Sequence, residues 1–179
     1  MEIANQLDMH DVVFIDETGS KPGINRAYGR APKDERVNDS MPCNRGKNIT
    51  MVAGLTGGGM IAPSAMTGAM NTKSFLTWLS TKLLPELAQG TTLVMDNLRV
   101  HHAKPVIKLI ESHNCTAFFL PPYSPDLNPI EMAWSKVKSR LRAARPKSVK
   151  SLQNHFHQAI RQISEEETKS YIRSCGFAI

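Results

Sequence analysis

Hydrophobic residues along this chain change their spacing several times, and each change predicts a different element. Continuous β-branched and apolar runs predict five strands, at residues 11–16, 48–55, 60–66, 91–95 and 116–120. Apolar residues three or four positions apart predict five helices, at residues 72–84, 103–113, 129–144, 149–163 and 165–172. Three consecutive glycines at 57–59 predict that the second and third strands form a hairpin.

The order of these elements predicts an α/β fold. Early antiparallel strands followed by strand–helix–strand crossovers imply a mixed five-stranded sheet with helices on both faces. This is the element order of the ribonuclease H-like fold, here with C-terminal helices added. We expect a sheet domain at 1–145 with a basic loop insertion at 17–47, followed by a helical extension at 146–179.

Charge adds more to this picture than composition does. Of the 179 residues, 41% are hydrophobic and 21% are charged, which is typical of a soluble globular domain. The net charge is +6, and seven bases with no acid lie between residues 132 and 150, which is consistent with a polyanionic partner. Cys43, Cys115 and Cys175 have no paired spacing, and no leader or membrane span is evident. We therefore expect a cytoplasmic protein without disulfides.

Two aspartates close predicted strands. Asp16 ends the run Val-Val-Phe-Ile-Asp, and Asp96 ends the run Thr-Leu-Val-Met-Asp. Each could simply cap a turn, since Asp-Glu-Thr-Gly and Asp-Asn are both good turn sequences. Together they favour a functional site, because the ends of neighbouring parallel strands meet at one edge of a sheet.

A third acid, Glu131, follows a proline-rich approach and falls in the first turn of a predicted helix. Asn128-Pro-Ile-Glu also fits a capping box, in which Glu131 would bind its own helix start and could not reach the sheet. Asp126 is the rival third acid, although its place in the loop favours a role in the turn. Three such carboxylates suit Mg²⁺, and two ions about 3.5–4 Å apart can stabilise both oxygens of an in-line displacement.

Polar neighbours of the acids are expected to support them. Glu17 alternates to the opposite strand face from the first aspartate, which limits it to a supporting role. Asn97 and Asn128 lie close to the second and third acids in the sequence. His101 or His102 could meet a DNA phosphate or the attacking water, or both could be surface histidines near a helix start.

Three blocks of the sequence resemble the catalytic blocks of DDE transposases, in the bacterial insertion-sequence group of the mariner superfamily. They are Phe14–Gly19, Val94–Asn97 with the two following histidines, and Pro121–Glu131. The 34 residues between Asp96 and Glu131 are the interval typical of that group. The likeness spans nearly the whole chain and is most specific in its last block.

The resemblance implies that residues 1–145 form a DDE catalytic domain with metal-dependent cut-and-paste DNA chemistry. Asp16, Asp96 and Glu131 would hold two Mg²⁺ or Mn²⁺ ions. Water would hydrolyse the strand at the element end, and the freed 3′-hydroxyl would attack target DNA at a TA step. The substrate would be double-stranded DNA, bound by a homodimer in the bacterial nucleoid. Relatives carry N-terminal helix-turn-helix modules, which we expect here as a separate or fused part.

DNA contacts are expected from the basic residues of the insertion and of the helix after the third acid: Arg26, Arg30, Lys33, Lys136, Lys138, Arg140 and Arg142. The insertion falls where relatives have a loop that clasps the partner subunit or DNA. Two other functions stay open. One is a ribonuclease H or junction-resolving nuclease on the same fold, and the other is an inactive remnant that only binds DNA.

Overall fold

The computed structural model describes residues 11–26, 28–38 and 46–179. Within these ranges the strands are β1 Val12–Ser20, β2 Ile49–Thr56, β3 Gly59–Thr67, β4 Thr92–Met95 and β5 Thr116–Phe119. Cys43, the residues before Asp11 and the part of the predicted insertion at 39–45 lie outside the described residues.

The strands form one mixed sheet with the order β3-β2-β1-β4-β5. β2 pairs antiparallel with both β1 and β3, whereas β4 pairs in parallel with both β1 and β5. The tight turn between β2 and β3 ends at Gly59, whose φ of 141° is a conformation that other residues rarely adopt. The predicted mixed sheet and hairpin are confirmed.

β1 continues four residues past Asp16, so the predicted end of this strand is wrong, as is the start of the insertion at residue 17. Pairing with β2 extends to Ser20 opposite Ile49, and both Thr18 and Ser20 are buried although they are polar. Backbone hydrogen bonds to an antiparallel neighbour sustain the strand after its apolar run stops. The connection from β1 to β2 accordingly covers residues 21–48.

The α-helices in the described ranges are α1 Thr72–Trp78, α2 Lys104–Ser112, α3 Ile130–Ala144, α4 Val149–Arg161 and α5 Glu165–Ser174. α1 continues as a π-helical turn and a short 3₁₀ turn that contains Pro85. The capping box predicted from Ser164 and Glu167 is present at the start of α5. No helix in this part of the chain is both long and apolar enough to cross a membrane.

Helices cover both faces of the sheet. One face packs against α3, α4 and α5, and its core includes Phe14 and Trp134. The other face packs against α1 and α2, and its core includes Ile15 and Phe75. Because side chains alternate along a strand, even-numbered residues of β1 face α3 and odd-numbered residues face α1 and α2. This alternation decides which side of the sheet each polar residue of β1 reaches.

The C-terminal helices are part of the core on the α3 face. Phe156 of α4 and Ile172 of α5 are fully buried there, and the ring centroids of Phe177 and Phe14 lie 5.2 Å apart. The division of the chain at residue 145 stays a prediction about domains. In the packing, residues 146–179 complete the layer that begins with α3.

We expect Phe156→Ala to lower the free energy of unfolding by about 3–5 kcal/mol, because a fully buried ring is lost from this core. Asn154 is an exposed residue of the same helix, and Asn154→Ala should change that free energy by less than about 0.5 kcal/mol. Urea denaturation of both variants measures the difference. If Phe156→Ala lowers the free energy of unfolding as little as Asn154→Ala does, α4 does not contribute to the core.

Candidate active site

Asp16 and Asp96 lie at the same level of the sheet because β1 is longer than β4. Phe14 is opposite Val94 in the parallel pair, and extending this register by two residues puts Asp16 opposite Asp96. β4 has already ended at Met95, so β1 has no strand partner on this side at Asp16. By alternation from Phe14 and Val94, both aspartates lie on the α3 face.

The third acid, Glu131, is carried by the first turn of α3. The helix begins at Ile130 with Pro129 as its N-cap, and no side chain caps its start. The Glu131 N–H donates to the Asn128 carbonyl at 3.1 Å, but the Glu131 carboxylate makes no capping bond. The capping-box alternative is therefore wrong, and the carboxylate of Glu131 is not held at its own helix start.

All three carboxylates line one cleft with a volume of about 460 Å³. Its walls are the ends of the central strands, the proline-rich loop at 120–125 and the start of α3. Asp126 is exposed in a 3₁₀ turn and does not line the cleft. The geometry thus favours Glu131 over Asp126 as the third acid.

Asp16 is only 7% exposed, and among the described residues no basic side chain forms an ion pair with it. Burial raises the pKa of Asp16, and the negative charges of Glu131, Glu17 and Asp96 raise it further, to about 8. A carboxyl group ordinarily titrates near pH 4. Ionisation of Asp16 would therefore add a negative charge that the protein alone does not compensate, which is the electrostatic setting of a cation site.

A buried histidine joins the second aspartate to the strand that carries the first. His101 Nδ1 lies 2.8 Å from Asp96 Oδ1, and His101 Nε2 lies 3.2 Å from Glu17 Oε2. The His101 ring is fully buried, so it is not a surface histidine and is not accessible to a DNA phosphate or to the attacking water. Glu17 lies on the face opposite Asp16, as predicted, because it alternates along β1.

These contacts change the pKa values of His101 and Asp96 in opposite directions. Burial alone would lower the pKa of His101, but the hydrogen bonds to Asp96 and Glu17 outweigh it and raise the pKa to about 9. Burial alone would raise the pKa of Asp96, but the hydrogen bonds from His101 and the Leu98 N–H hold it below its usual value. Asp96 is consequently ionised at neutral pH.

Asn97 and His102 fasten the turn after β4 to the end of β5. The Asn97 side-chain amide donates to the Leu120 carbonyl, and its Oδ1 lies 3.0 Å from His102 Nε2. The His102 ring stacks on Phe119 with a centroid distance of 3.9 Å. Asn97 also lines the cleft, so this pair ties the floor of the cleft to the proline-rich loop.

The oxygen donors present fit a hard divalent cation. Besides the three carboxylates, Asn128 lines the cleft, is 4% exposed and has a buried Oδ1 without a hydrogen-bond partner. A buried oxygen of this kind is costly unless a ligand or water satisfies it, and oxygen is the ligand atom that Mg²⁺ takes. Within the described ranges, no three acid, histidine or cysteine side chains form a finished metal-binding cluster. Ion binding would therefore draw the carboxylates closer together.

The basic residues predicted to contact DNA have different surroundings. Arg26, Arg30 and Lys33 are exposed in the connection between β1 and β2. On α3, the Lys136 ammonium pairs with the Glu167 carboxylate at the start of α5. The Arg140 guanidinium donates to the Ala159 carbonyl at 2.9 Å and to the Gln162 carbonyl at 3.5 Å, near the end of α4.

Two of the predicted bases thus also hold α3 against the helices that follow. Lys138 and Arg142 are half-buried residues of the same helix. The sequence alone does not distinguish these two bases from the other two on α3. The partners of Lys136 and Arg140 lie on α5 and near the end of α4, far away in the sequence.

One residue of the cleft was missed by sequence reasoning. Tyr123 is fully exposed, lines the cleft and has a φ of 58°, which side-chain-bearing residues rarely adopt. The available signal was an aromatic residue inside a proline-fixed loop, between Pro122 and Pro125. An exposed aromatic ring at the mouth of an acidic cleft is suited to stacking on a base.

The fold and the cleft define a mixed-sheet α/β domain with carboxylates gathered at the ends of its central strands. Residues 11–153 match the family model of the DDE superfamily endonucleases. Because this range covers most of the 179 residues, the chain belongs to that family. No curated protein matches it in sequence.

Solved structures of the Mos1 mariner transposase share the fold. The paired-end complex with Mn has a TM-score of 0.74 at 19% identity, over 98% of this chain and 55% of that chain. The strand transfer complex has a TM-score of 0.72 at 19% identity, over 94% of this chain and 51% of that chain. The catalytic domain with Raltegravir and Mg has a TM-score of 0.66 at 17% identity, over 99% and 90%.

At these identities the likeness establishes the fold, and the ribonuclease H-like prediction is confirmed. The chain spans about half the length of the Mos1 chains in the DNA complexes.

We expect Asp16→Asn to stabilise the metal-free protein, increasingly so as the pH rises. Between about pH 4 and pH 8 the unfolded chain has lost the Asp16 proton while the folded protein retains it, so this group makes stability fall with rising pH. The gain in free energy of unfolding should be small at pH 4 and largest above pH 8, at most about 6 kcal/mol, since a tenfold change in proton affinity is about 1.4 kcal/mol.

Thermal or urea unfolding of both proteins in EDTA, from pH 4.5 to 9, measures this gain. A gain that does not grow with pH would contradict the charge crowding inferred at Asp16.

Proposed function

We propose that this chain is the catalytic part of a mariner-superfamily transposase of the bacterial insertion-sequence group. It would cut double-stranded DNA and join the freed end to a target with the help of divalent metal ions. The observation that carries this proposal is the cleft lined by Asp16, Asp96 and Glu131 in a DDE superfamily endonuclease. Structures of Mos1 as paired-end and strand transfer complexes, and with Mn and Mg, support it by similarity.

All three carboxylates would bind metal. Asp16, Asp96 and Glu131 would be the ligands, with Asn128 Oδ1 as a further oxygen donor. Two bound Mg²⁺ or Mn²⁺ ions supply Lewis-acid stabilisation of the attacking and leaving oxygens. The ends of β1 and β4 and the start of α3 line the cleft, and a phosphodiester bound between them would be positioned for attack.

The reaction would consist of two displacements at phosphorus. In the first, a water oxygen bonds to phosphorus while the bond from phosphorus to the 3′ oxygen breaks, which leaves a 3′-hydroxyl. In the second, this hydroxyl oxygen bonds to a target phosphorus while the bond from that phosphorus to its own 3′ oxygen breaks. The attacking hydroxyl loses its proton and the departing target oxygen gains one, which leaves a 3′-hydroxyl on the target strand. Neither displacement needs a covalent enzyme intermediate, and positioning and charge stabilisation supply the catalysis.

DNA would approach along one face of α3. Lys138 and Arg142 are seven and eleven residues after Glu131, which places each base within about 20° of Glu131 around the helix, on either side of it. The stripe from Glu131 to Arg142 is about 16 Å long, since each residue advances about 1.5 Å. Lys136 and Arg140 lie on the opposite side, against α4 and α5. The two outward bases are therefore better placed to follow a phosphate backbone from the cleft.

We expect Lys138→Ala/Arg142→Ala to weaken DNA binding and to reduce the slope of log affinity against log salt by about 2, about 1 for each lost phosphate contact. Lys136→Ala/Arg140→Ala is the matched control, because it removes the same charge from the same helix. It should lower the melting temperature and leave the salt slope nearly unchanged. Fluorescence anisotropy at several salt concentrations measures the slope. Equal slopes for the two double variants would refute the proposed path.

We expect Asp96→Asn and Glu131→Gln each to reduce metal-dependent DNA nicking by more than about 100-fold, a loss of about 2.7 kcal/mol of transition-state stabilisation. Asp126→Asn is the control, since it removes an acid from the same loop but from outside the cleft. Nicking of supercoiled DNA with Mg²⁺ or Mn²⁺ is the assay. Undiminished nicking by Asp96→Asn would contradict the proposal, and an inactive wild-type protein that still binds DNA would favour the remnant.

Substrate choice separates transposition from the other nuclease functions of this fold. We expect linear duplex carrying element ends to be cut and joined at a TA step, in preference to an RNA–DNA hybrid or a four-way junction. Side-by-side cleavage of the three substrates measures this. Faster cleavage of the hybrid or the junction would replace transposition with ribonuclease H or resolvase activity.

Three further features belong to the same proposal. The active form would be a homodimer on DNA, and the exposed bases of the 21–48 connection would contact DNA or the partner subunit. Recognition of element ends would fall to a helix-turn-helix module, separate or fused. The protein would act at the bacterial nucleoid.

A further inference from the structure

We propose that His101 and Glu17 form a positioning pair, which orients the Asp96 carboxylate so that one of its oxygens is presented to metal in the cleft. This inference rests on the proposed function and assigns a role to two residues that do not line the cleft themselves. It is carried by the geometry around one side chain, Asp96.

The two oxygens of Asp96 have different surroundings. Oδ1 accepts from the Leu98 N–H at 3.1 Å and lies 2.8 Å from His101 Nδ1. His101 Nδ1 is also 3.3 Å from the Asp96 carbonyl, so the ring contacts both the backbone and the side chain of this residue. Among the described residues no group hydrogen-bonds Oδ2, and Asp96 lines the cleft with its side chain 40% exposed. Oδ1 is thus used for orientation, and Oδ2 is available to a ligand.

Glu17 in turn fixes the ring of His101. A fully buried imidazole needs a partner for each ring nitrogen, and Glu17 Oε2 supplies the second at 3.2 Å from Nε2. The Phe75 ring packs on the same imidazole, with a centroid distance of 4.7 Å. With one nitrogen held by Glu17 and one face held by Phe75, the other nitrogen can only face Asp96.

This arrangement makes use of the alternation of β1. Asp16 faces α3 and lines the cleft, while its neighbour Glu17 faces α2 and reaches His101 behind the sheet edge. One dipeptide therefore supplies one acid directly and fixes a second acid through a histidine. Groups that orient a metal ligand in this way typically change metal affinity by about 10–100-fold when they are removed.

The test is the affinity of the full chain for Mn²⁺ without DNA, measured by electron paramagnetic resonance or calorimetry. We expect Glu17→Ala and His101→Leu to weaken Mn²⁺ binding by about 10-fold or more, because the Asp96 carboxylate loses its orientation. Glu17→Gln should bind within about 3-fold of wild type, since it retains a hydrogen-bonding oxygen for the ring. His113→Asn is the control, because it removes a histidine from the far end of α2.

A double-mutant cycle shows whether Glu17 acts through the histidine. Glu17→Ala/His101→Gln should bind Mn²⁺ no more weakly than His101→Gln alone, since residues that act through one contact are not additive. His101→Gln donates only from the nitrogen end of its amide and so cannot replace both ring nitrogens, and it should also weaken Mn²⁺ binding. It provides a second variant if His101→Leu does not fold, and far-ultraviolet circular dichroism monitors folding. The kcat for nicking should fall in these variants while the affinity for DNA stays within about twofold.

Two failures are distinguishable. If folded Glu17→Ala and His101→Gln bind Mn²⁺ as wild type does, while Asp96→Asn does not, the positioning pair is refuted and the metal site stands. If wild type and Asp96→Asn bind Mn²⁺ equally, the proposed function fails together with this inference.

Discussion

The acidic cleft depends on the unequal lengths of β1 and β4, because β1 continues past the point where β4 ends. β1 is held in the sheet as far as Ser20 by its antiparallel partner β2, whereas its parallel partner β4 stops at Met95. A side chain that lies on the α3 face beyond this level is no longer covered by a neighbouring strand. At that level the residue is Asp16, and other acids stand around it, so ionising its carboxyl group would concentrate negative charge where little solvent reaches. Such crowding costs free energy until a cation offsets it.

The three carboxylates differ in the number of contacts that restrain them. Asp16 is held by the pairing of β1 with β2, which continues past it to Ser20, and Asp96 is fixed by hydrogen bonds within a turn. Glu131 is exposed, on the first turn of a helix that follows a loop with an unfavourable φ at Tyr123. Two acids are therefore restrained by strand pairing or hydrogen bonds, whereas among the described residues no side-chain hydrogen bond or ion pair restrains Glu131. This agrees with the absence of a finished metal cluster among the described residues.

Local sequence patterns predicted every strand and helix of the described ranges, together with the acids that share the cleft. The patterns failed where a distant partner decides the outcome. β1 outlasts its apolar run because its polar end, as far as Ser20, pairs with β2, which begins only at Ile49. His101 can be buried because the carboxylate of Glu17, 84 residues earlier, accepts a hydrogen bond from its Nε2. The same reason applies to Lys136 and its partner on α5, a contact that nothing near Lys136 in the sequence indicates.

The alternatives for Glu131 also could not be decided locally. The motif Asn128-Pro-Ile-Glu fits a capping box by spacing alone, and only the tertiary position of Asn128 excludes it. Asn128 is buried against the cleft, with its Oδ1 unpartnered, instead of capping α3. A residue whose side chain lies in a site is not available to cap a helix. At functional positions, a local sequence motif can therefore predict a capping interaction that the structure does not contain.

The most direct test of the account is a crystal structure of the protein with Mn²⁺, in which anomalous scattering locates the ions independently of the protein density. If the cleft is a metal site, Mn²⁺ lies in it with oxygens of Asp16 and Asp96 as ligands and with Glu131 drawn toward the same ions. Mn²⁺ bound elsewhere, or a cleft without metal at saturating Mn²⁺, would contradict it.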